Sequence, residues 1–307
     1  MNRGLAVLGA LALIVLALFA RSKFADGSTS SDGSKKASAG KPVVACTPDL
    51  MSVCESLATD GRIRANPPEL DLGDASDPDP KIDAWITWNP APQIADASNA
   101  GDKVWGTPLA LGTARAAVLI DGTSADGLPP KCLGTPTWNC LGAAGTDLSV
   151  GVGDPATAEG IARLAPFART FATDDDYTTL DGNGLADLVT SPPTGQAPAP
   201  DMAERLTTAP GSVSMVVGPN DLLLTQTKTA QGQTRKLRIL SPTPAQQLTV
   251  VLAPRAGSDA GLATIDCNDG APDSLTKPLA RLGLQPCEGT VDAALAGFLF
   301  QVQKEVG

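Results

Sequence analysis

Short apolar strands that pass through a tight corner directly into an amphipathic helix are the feature that most constrains this fold. In DLSVGVGDPATAEGIARLAPFA (residues 147–168), a β-branched run stops at Gly153, Asp154-Pro155 follows, and an amphipathic stretch begins at once. Glycine permits the sharp turn, and proline suits the first position of a helix. Thr47-Pro48-Asp49 and Thr87-Trp88-Asn89-Pro90 are two further corners of this kind. Strands that alternate with helices predict an α/β fold with a parallel or mixed sheet.

The three corners together predict a ligand site. In a sheet of parallel strands, ligands bind beyond the carboxyl ends, where the loops lead into helices with unpaired N–H groups. Corners on different strands can face one cleft, so we expect Thr47, Thr87, Trp88 and Asp154 to surround a ligand. Each residue also has a structural interpretation. Thr47 and Asp154 would then be helix caps, Thr87 a strand end, and Trp88 a packed core residue.

Composition excludes several classes of function. Histidine is absent from the 307 residues, which removes Ser-His-Asp and Cys-His catalysis and the usual zinc ligand sets. Residues 1–40 hold five basic and two acidic side chains, which leaves 18 basic and 31 acidic ones beyond them, a net charge of −13. Such a domain repels nucleic acid and anionic lipid. We predict no cofactor, no nucleic-acid partner and no enzymatic activity. The enzymatic alternative is a secreted enzyme that hydrolyses its substrate with carboxylates.

Residues 173–188, TDDDYTTLDGNGLADL, crowd carboxylates in the manner of a calcium loop. The regular loop alternates its ligands before a glycine and ends in glutamate, whereas Gly184 arrives too early here. We interpret the segment as a solvated turn that leads into a helix, and we predict no metal site.

The amino terminus indicates export. Residues 4–20 form an unbroken apolar run that would span roughly 25 Å as a helix, slightly short of a bilayer core. The run ends in Leu18-Phe19-Ala20 and Arg21, a poor cleavage site, so we predict a signal-anchor, a transmembrane helix, over residues 1–23. A cleaved signal peptide and a buried core helix are the alternatives. Residues 24–41 are rich in Gly, Ser and Lys, which predicts a flexible linker.

Six cysteines behind an export segment favour disulfides in an oxidising compartment. Cys132 and Cys140 bracket a Gly/Pro/Thr loop, and Cys267 and Cys287 bracket a helical stretch, so each couple is expected to pair. Elimination leaves Cys46 with Cys54. If Cys46 directly precedes a helix that contains Cys54, the two lie roughly 12 Å apart, beyond the reach of a disulfide. Either that helix starts late or the pairing differs, and the sequence leaves this open.

The order of these motifs resembles the type 2 solute-binding proteins of ABC transport systems, in particular the molybdate-binding group. VVACTPDL resembles the family's first strand with a Ser or Thr at the start of its first helix, and IDAWITWN stands where a D-V-F-x-S-A strand is usual. LALGTARAAVLI resembles the crossing to the second lobe, and VGVGDPATAEG resembles its I-G-D-P corner. The likeness spans roughly residues 42–253. Between the first two motifs, this chain has a short Asp/Pro/Gly-rich segment in place of a strand–helix unit.

The resemblance implies two α/β lobes with a ligand clamped between them. Lobe 1 would comprise residues 42–115 plus 246–307, and lobe 2 residues 116–245. Thr47 and Thr87 match the family's hydroxyl ligands, and Asp154 marks the corner of the second lobe. The implied function is a membrane-tethered, extracytoplasmic, solute-binding-like protein that captures a small polar ligand, with an oxyanion as one candidate.

The alternative is an extracytoplasmic structural or interaction domain that retains this fold without a ligand. The predicted partner is accordingly a small polar solute or a membrane or cell-envelope protein. The predicted location is the cell membrane, with a single pass and the folded domain outside the cytoplasm. Secretion after signal cleavage is the alternative location.

Overall fold

The structure, a computed structural model, describes residues 40–99, 102–143, 148, 150–172, 181, 184, 189–190, 202–208, 213–258, 261–265, 267, 270–291 and 296–306. The predicted signal-anchor at residues 1–23, most of the predicted linker at 24–41 and most of the carboxylate-rich segment at 173–188 lie outside these residues. No helix in the described ranges is long and apolar enough to cross a membrane.

Nine described strands form one mixed sheet. They are β1 (Val44–Cys46), β2 (Ala84–Trp88), β3 (Leu109–Ile120), β4 (Val150–Gly151), β5 (Val189–Thr190), β6 (Met215–Pro219), β7 (Arg238–Leu240), β8 (Gln247–Pro254) and β9 (Gln285–Pro286). Their order is β1-β2-β8-β3-β6-β4-β5, and β7 and β9 also pair with β3. The strands that precede the three predicted corners run parallel to a neighbour, β1 with β2 and β4 with β5 and β6.

The long strand β3 changes its partners halfway along its length. Residues 109–115 pair with β8, and β9 lies on their other side. Residues 116–120 pair instead with β6 and β7. We call β1, β2, β8, β9 and the first part of β3 the first half-sheet, and the remaining strands the second half-sheet. The predicted lobe boundaries themselves stay a prediction.

Helices cover both half-sheets. They are α1 (Met51–Thr59), α2 (Ala91–Ser98), α3 (Gly122–Gly127), α4 (Pro130–Gly134), α5 (Trp138–Ala143), α6 (Ala158–Ala168), α7 (Met202–Thr208), α8 (Asn220–Thr227), α9 (Ala230–Thr234), α10 (Asp273–Arg281) and α11 (Ala296–Val306). Short 3₁₀ turns lie at Pro48–Leu50, Arg169–Phe171 and Leu262–Thr264.

The hydrophobic core follows the alternation of side chains along the strands. On one face, Val118 and Ile120 of β3 join a large cluster that continues through the first half-sheet. On the other face, Ala117 and Leu119 join a smaller cluster with α7 and α8. Because successive strand residues point to opposite faces, the unbroken apolar run at residues 116–120 buries both faces of this part of β3. Helix α6 packs on the large cluster through Ile161, Leu164 and Phe167.

All six cysteines are paired, as Cys46–Cys54, Cys132–Cys140 and Cys267–Cys287. The Cα atoms of the first pair are 6.2 Å apart, well below the distance that a continuous helix would impose. Cys46 ends β1, the chain turns through the 3₁₀ segment, and α1 begins only at Met51. Cys54 therefore lies in the first turns of a helix that returns past the end of its own strand.

Several local predictions are wrong. Residues 104–108 form an extended segment with one bridge, Trp105 to Arg255, and β3 begins at Leu109. The loop expected between Cys132 and Cys140 is short, because both cysteines lie in helices, α4 and α5, and α3 precedes them. Helix α6 begins at Ala158, because residues 155–157 form a turn and the Thr157 hydroxyl accepts from the Gly160 N–H as its cap.

Candidate functional site

Thr47 directly follows β1, and Thr87 lies within the parallel neighbouring strand β2. Cys46 pairs with Ile86, and the Thr47 N–H donates to the Ile86 carbonyl at 3.1 Å. Both threonines are fully buried, and their hydroxyl oxygens have no hydrogen-bond partner among the described residues. Thr47 therefore occupies a cap position without capping, since its side chain accepts no N–H of the 3₁₀ turn. A buried hydroxyl without a partner costs free energy and requires a physical reason.

Trp88 joins the first two corners. Its indole Nε1 donates to Asp49 Oδ2 at 2.6 Å, and the side chain is only 4% exposed. Trp88 therefore packs inside the protein and does not line an open cleft. Successive residues of a strand point to opposite faces, so Thr87 does not share the Trp88 face. The structure thus brings Trp88 to the Thr47–Asp49 corner but leaves the Thr87 hydroxyl outside that contact.

Helix α6 brings two charged side chains close enough to this corner to affect Asp49. Its Glu159 and Arg163, one turn apart, form an ion pair whose side chains are 14% and 11% exposed. We call Thr47, Asp49, Trp88, Glu159 and Arg163 the corner cluster. Burial, followed by the negative charge of Glu159, raises the pKa of Asp49 to about 7, against the lowering effects of the Trp88 hydrogen bond and Arg163. The Thr47 hydroxyl also lowers the pKa of Asp49, although the two groups are outside hydrogen-bond geometry.

Asp154 stabilises the turn that leads into α6. Its Oδ1 accepts from the Ala156 N–H at 2.9 Å, and its backbone carbonyl accepts from the Thr157 hydroxyl at 2.7 Å. These contacts give Asp154 a structural role in the turn before the helix. The helix cap itself is Thr157, not Asp154.

The first N–H of α6 is already bound by the chain itself. Ala158 N donates at 2.9 Å to Asp71 Oδ1, a carboxylate 87 residues away in sequence. Burial raises the pKa of Asp71; the hydrogen bonds from the Ala158 and Leu72 N–H groups lower it, and the nearby charges of Asp154 and Glu69 raise it. A carboxylate of the protein thus lies where an anionic ligand would meet this helix.

Two tryptophans hold the segment that carries Asp71. Trp85 Nε1 donates to the Leu70 carbonyl at 3.0 Å, and Trp105 Nε1 donates to the Ala75 carbonyl at 2.9 Å. The two indole rings contact each other, with centroids 5.4 Å apart. These contacts anchor the short Asp/Pro/Gly-rich segment to the core, and Asp71 of this segment accepts from α6.

A cavity of about 370 Å³ lies farther along α6. Ala162, Ala165 and Pro166 form its α6 wall, and residues 244–247, which lead into β8, form another. The polar side chains around it are uncharged: Asn89, Gln246, Gln247, Thr249 and Thr290. None of Thr47, Thr87, Trp88 and Asp154 lines the cavity, although Asn89 directly follows Trp88.

The sequence carried a signal for some of the residues that it left unassigned. Glu159 and Arg163 stand four apart at the start of a predicted helix, which is the spacing of a helical ion pair. Asp49 belongs to the first corner. Nothing in the pattern indicated that Asp71 would meet α6, or that Gln246 and Gln247 would line a cavity. No group of three or more acidic or cysteine side chains in the described ranges is arranged to hold a metal ion.

No protein-family model matches the sequence, and no curated protein matches it. Solved structures do. A periplasmic thiamin binding protein aligns with a TM-score of 0.55 and 12% identity, over 91% of this chain and all of its own. The periplasmic binding protein AfuA from Actinobacillus pleuropneumoniae, with exogenous fructose-6-phosphate bound, aligns with a TM-score of 0.55 and 12% identity over 88% of this chain and 97% of its own.

Iron-bound HitA from Pseudomonas aeruginosa aligns with a TM-score of 0.53 and 10% identity, over 87% of this chain and 99% of its own. At these identities the likeness is one of fold, and the narrower resemblance to the molybdate-binding group stays a prediction. The chain has the type 2 periplasmic-binding-protein-like fold.

Proposed function

We propose that this chain is a non-catalytic, extracytoplasmic, solute-binding-like protein that binds a small polar ligand in the cavity beside α6. The cavity carries this proposal. Its volume of about 370 Å³ falls within the range of small-ligand sites, and amides and hydroxyls from separate elements converge on it. Proteins of the same fold that bind thiamin, fructose-6-phosphate and iron support a ligand-binding role.

A neutral polar ligand suits this site better than the oxyanion that the resemblance suggested. No lining residue is charged, so the cavity offers amide and hydroxyl groups but no cation. The corner that an oxyanion would use contains the carboxylates of Asp49, Asp71 and Glu159. Repulsion by these groups disfavours an anion, and the net charge of the domain adds to it.

A ligand screen on the full-length chain in detergent micelles tests the proposal. We expect a neutral sugar or polar amide to raise the unfolding temperature, because a ligand at about 100-fold excess over Kd adds about 2.7 kcal/mol of stability. Ala165→Phe should abolish the shift by filling the cavity, since Ala165 lines it and is partly exposed. Ala230→Phe, the same change on an exposed residue of α9, is the control and should keep the shift. A ligand that Ala165→Phe binds unchanged would place the site elsewhere.

The second candidate is a structural or interaction domain that retains the fold without a ligand and contacts a membrane or cell-envelope protein. The hydrogen bond from Ala158 to Asp71 favours it, because the chain itself occupies the helix end that a ligand would meet. A screen in which sugars, amino acids, amides and oxyanions all leave the unfolding temperature unchanged would support this candidate and contradict the first.

We also propose that residues 1–23 tether the domain to the membrane from outside the cytoplasm. The uninterrupted apolar run and the six cysteines behind it support this location. Cell fractionation tests it. The full chain should stay with the membrane after a high-salt wash, and a variant that lacks residues 1–23 should not. A mature protein that starts beyond residue 20 by mass spectrometry would show a cleaved signal peptide instead.

A further inference from the structure

Strand β8 extends beyond the end of its antiparallel neighbour β2. The pairing of the two strands finishes with the Asn89 N–H, which donates to the Thr249 carbonyl at 2.8 Å. The same register would place Ala91 opposite Gln247, but Ala91 is already the first residue of α2. Among the described residues, Gln247 therefore has a strand partner on one side only, Arg115 of β3.

The backbone N–H and C=O of Gln247 point to the side on which β2 has ended. In an antiparallel strand, the backbone groups of successive residues point alternately to the two neighbouring strands. The Gln246 carbonyl accepts from the Ala116 N–H of β3 at 2.8 Å, whereas the Thr249 carbonyl accepts from the chain that follows β2. Gln247, one residue after Gln246 and two before Thr249, therefore directs a donor and an acceptor away from β3. No described backbone group bonds to either of them there.

The cavity beside α6 lies at this unpaired stretch of β8. Asn89 and Pro90, which directly follow β2, line it together with Gln247 and Thr249 of β8. Gln247 is exposed, so a ligand in the cavity can reach its backbone. The polar side chains around the cavity are uncharged, and its other walls are small or apolar: Pro90, Ala162, Ala165, Pro166, Pro244, Ala245 and Leu299.

We propose that the ligand of this cavity is a short, uncharged peptide segment that pairs with Gln247 as an added piece of antiparallel strand. One residue of the ligand donates its N–H to the Gln247 carbonyl and accepts from the Gln247 N–H, as Ala91 would in a longer β2. The volume of about 370 Å³ limits the segment to a few residues, and the alanine and proline walls favour small apolar side chains. This inference rests on the proposed function, because it names the ligand class of the same cavity.

Isothermal titration calorimetry on the full-length chain in detergent micelles tests the inference. The first probe is N-acetyl-L-alanine N-methylamide, which carries the N–H and C=O of one residue between two uncharged ends. The matched probe is N-acetyl-N-methyl-L-alanine N-methylamide, in which a methyl group replaces the alanine N–H hydrogen. We expect the first probe to bind and the second to bind at least about tenfold more weakly, because it cannot donate to the Gln247 carbonyl. Equal affinities, or no binding of the first probe, would overturn the inference.

Gln247→Pro tests the other hydrogen bond, because it removes the Gln247 N–H without removing a hydrogen bond to β3. It should weaken the first probe about tenfold, and unchanged affinity in the folded variant would overturn the inference. If this variant fails to fold, the two probes on the wild-type chain still decide. Ala165→Phe should abolish binding of the first probe, and Ala230→Phe should not; binding that survives Ala165→Phe would also overturn the inference.

The outcome for this inference is distinguishable from the outcome for the proposed function. A neutral sugar that stabilises the wild type but not Ala165→Phe, together with no binding of the first probe, would overturn the peptide ligand and leave the proposed function standing. If neither the sugars nor the first probe bind, both proposals fail.

Discussion

The two ends of helix α6 face opposite chemical environments. At its first turns, the Ala158 N–H donates to Asp71. The Glu159–Arg163 ion pair lies near Asp49, so the protein's own side chains occupy this end of the helix. Its later turns line a cavity whose polar side chains are neutral amides and hydroxyls and whose other lining residues are apolar. The strand-to-helix corners predicted a ligand site at the charged end of the helix, whereas the cavity lies at its neutral end. A corner motif therefore indicates where backbone N–H groups could bind a ligand. It does not indicate whether side chains of the protein itself already accept hydrogen bonds from them.

Removal of Arg163 should have the largest effect. Arg163→Ala leaves Glu159 and Asp49 without their cation in a mostly buried contact, so we expect a loss of about 3 kcal/mol in the free energy of unfolding near pH 8. Urea denaturation measures it. Lys277→Ala is the control, because the Lys277–Asp273 pair has the same spacing but exposed side chains, and it should cost below about 0.5 kcal/mol. Equal losses in both variants would show that burial of the Glu159–Arg163 pair does not increase its contribution to stability.

Asp49→Asn should stabilise the protein in a pH-dependent way. The folded pKa lies above the unfolded one, so ionisation of Asp49 lowers stability progressively as the pH rises from about 4 to about 7, and the full penalty persists above that. We expect the variant to gain about 2 kcal/mol near pH 8 and little near pH 4. Denaturation at the two pH values checks this. A gain that is equal at both, or a loss at pH 8, would contradict the assignment.

Asp71→Ala should cost about 1 kcal/mol, because it leaves the Ala158 N–H at the start of α6 without its acceptor. Asp71→Asn is the informative companion, since its amide oxygen can accept the same hydrogen bond without a buried charge, and it should cost less. Thermal unfolding near pH 7 compares the two. An alanine variant as stable as the wild type would mean that Asp71 does not hold α6.

The smallest effect is expected at the unpartnered hydroxyls. Thr87→Val keeps the shape of a buried side chain while it removes a hydroxyl without a partner, so we expect a gain of about 0.5 kcal/mol. Thr249→Val is the matched control, because its hydroxyl lies 3.2 Å from the Thr113 hydroxyl, and the change should cost about 1 kcal/mol. Losses of equal size would show that the Thr87 hydroxyl has a partner in solution, such as an ordered water.

Much of the fold could be predicted because local signals carry it. The runs that became β2, β8 and the second part of β3 are rich in apolar and β-branched residues, and the helices α2 and α10 follow turn residues and show an apolar face. Two disulfides were predicted because each pair of cysteines brackets a short loop or a helical stretch. Helices α3 to α5 were missed because they are five or six residues long, too short to show a helical period. The Cys46–Cys54 pair stayed open because it depends on where α1 begins.

The candidate site could be predicted only in outline. Thr47 and Thr87 lie at the ends of two adjacent strands, because parallel strands bring their carboxyl ends to one edge. The meeting of Asp71 with Ala158, and of Asp49 with Glu159, joins segments that are about a hundred residues apart in the chain. No periodicity or spacing encodes such a contact, because it depends on how the two half-sheets pack.

The amino-acid sequence by itself determined an α/β chain with disulfides, without histidine chemistry, and with three strand-to-helix corners, since each of these depends on composition or on neighbours within a few residues. The tertiary structure alone decided which corner is closed by the protein's own carboxylates and where the neutral cavity lies. Burial and proximity decide both, because a carboxylate that would be an ordinary ionised group in water acquires a pKa near 7 only when packing excludes solvent and places another negative charge beside it.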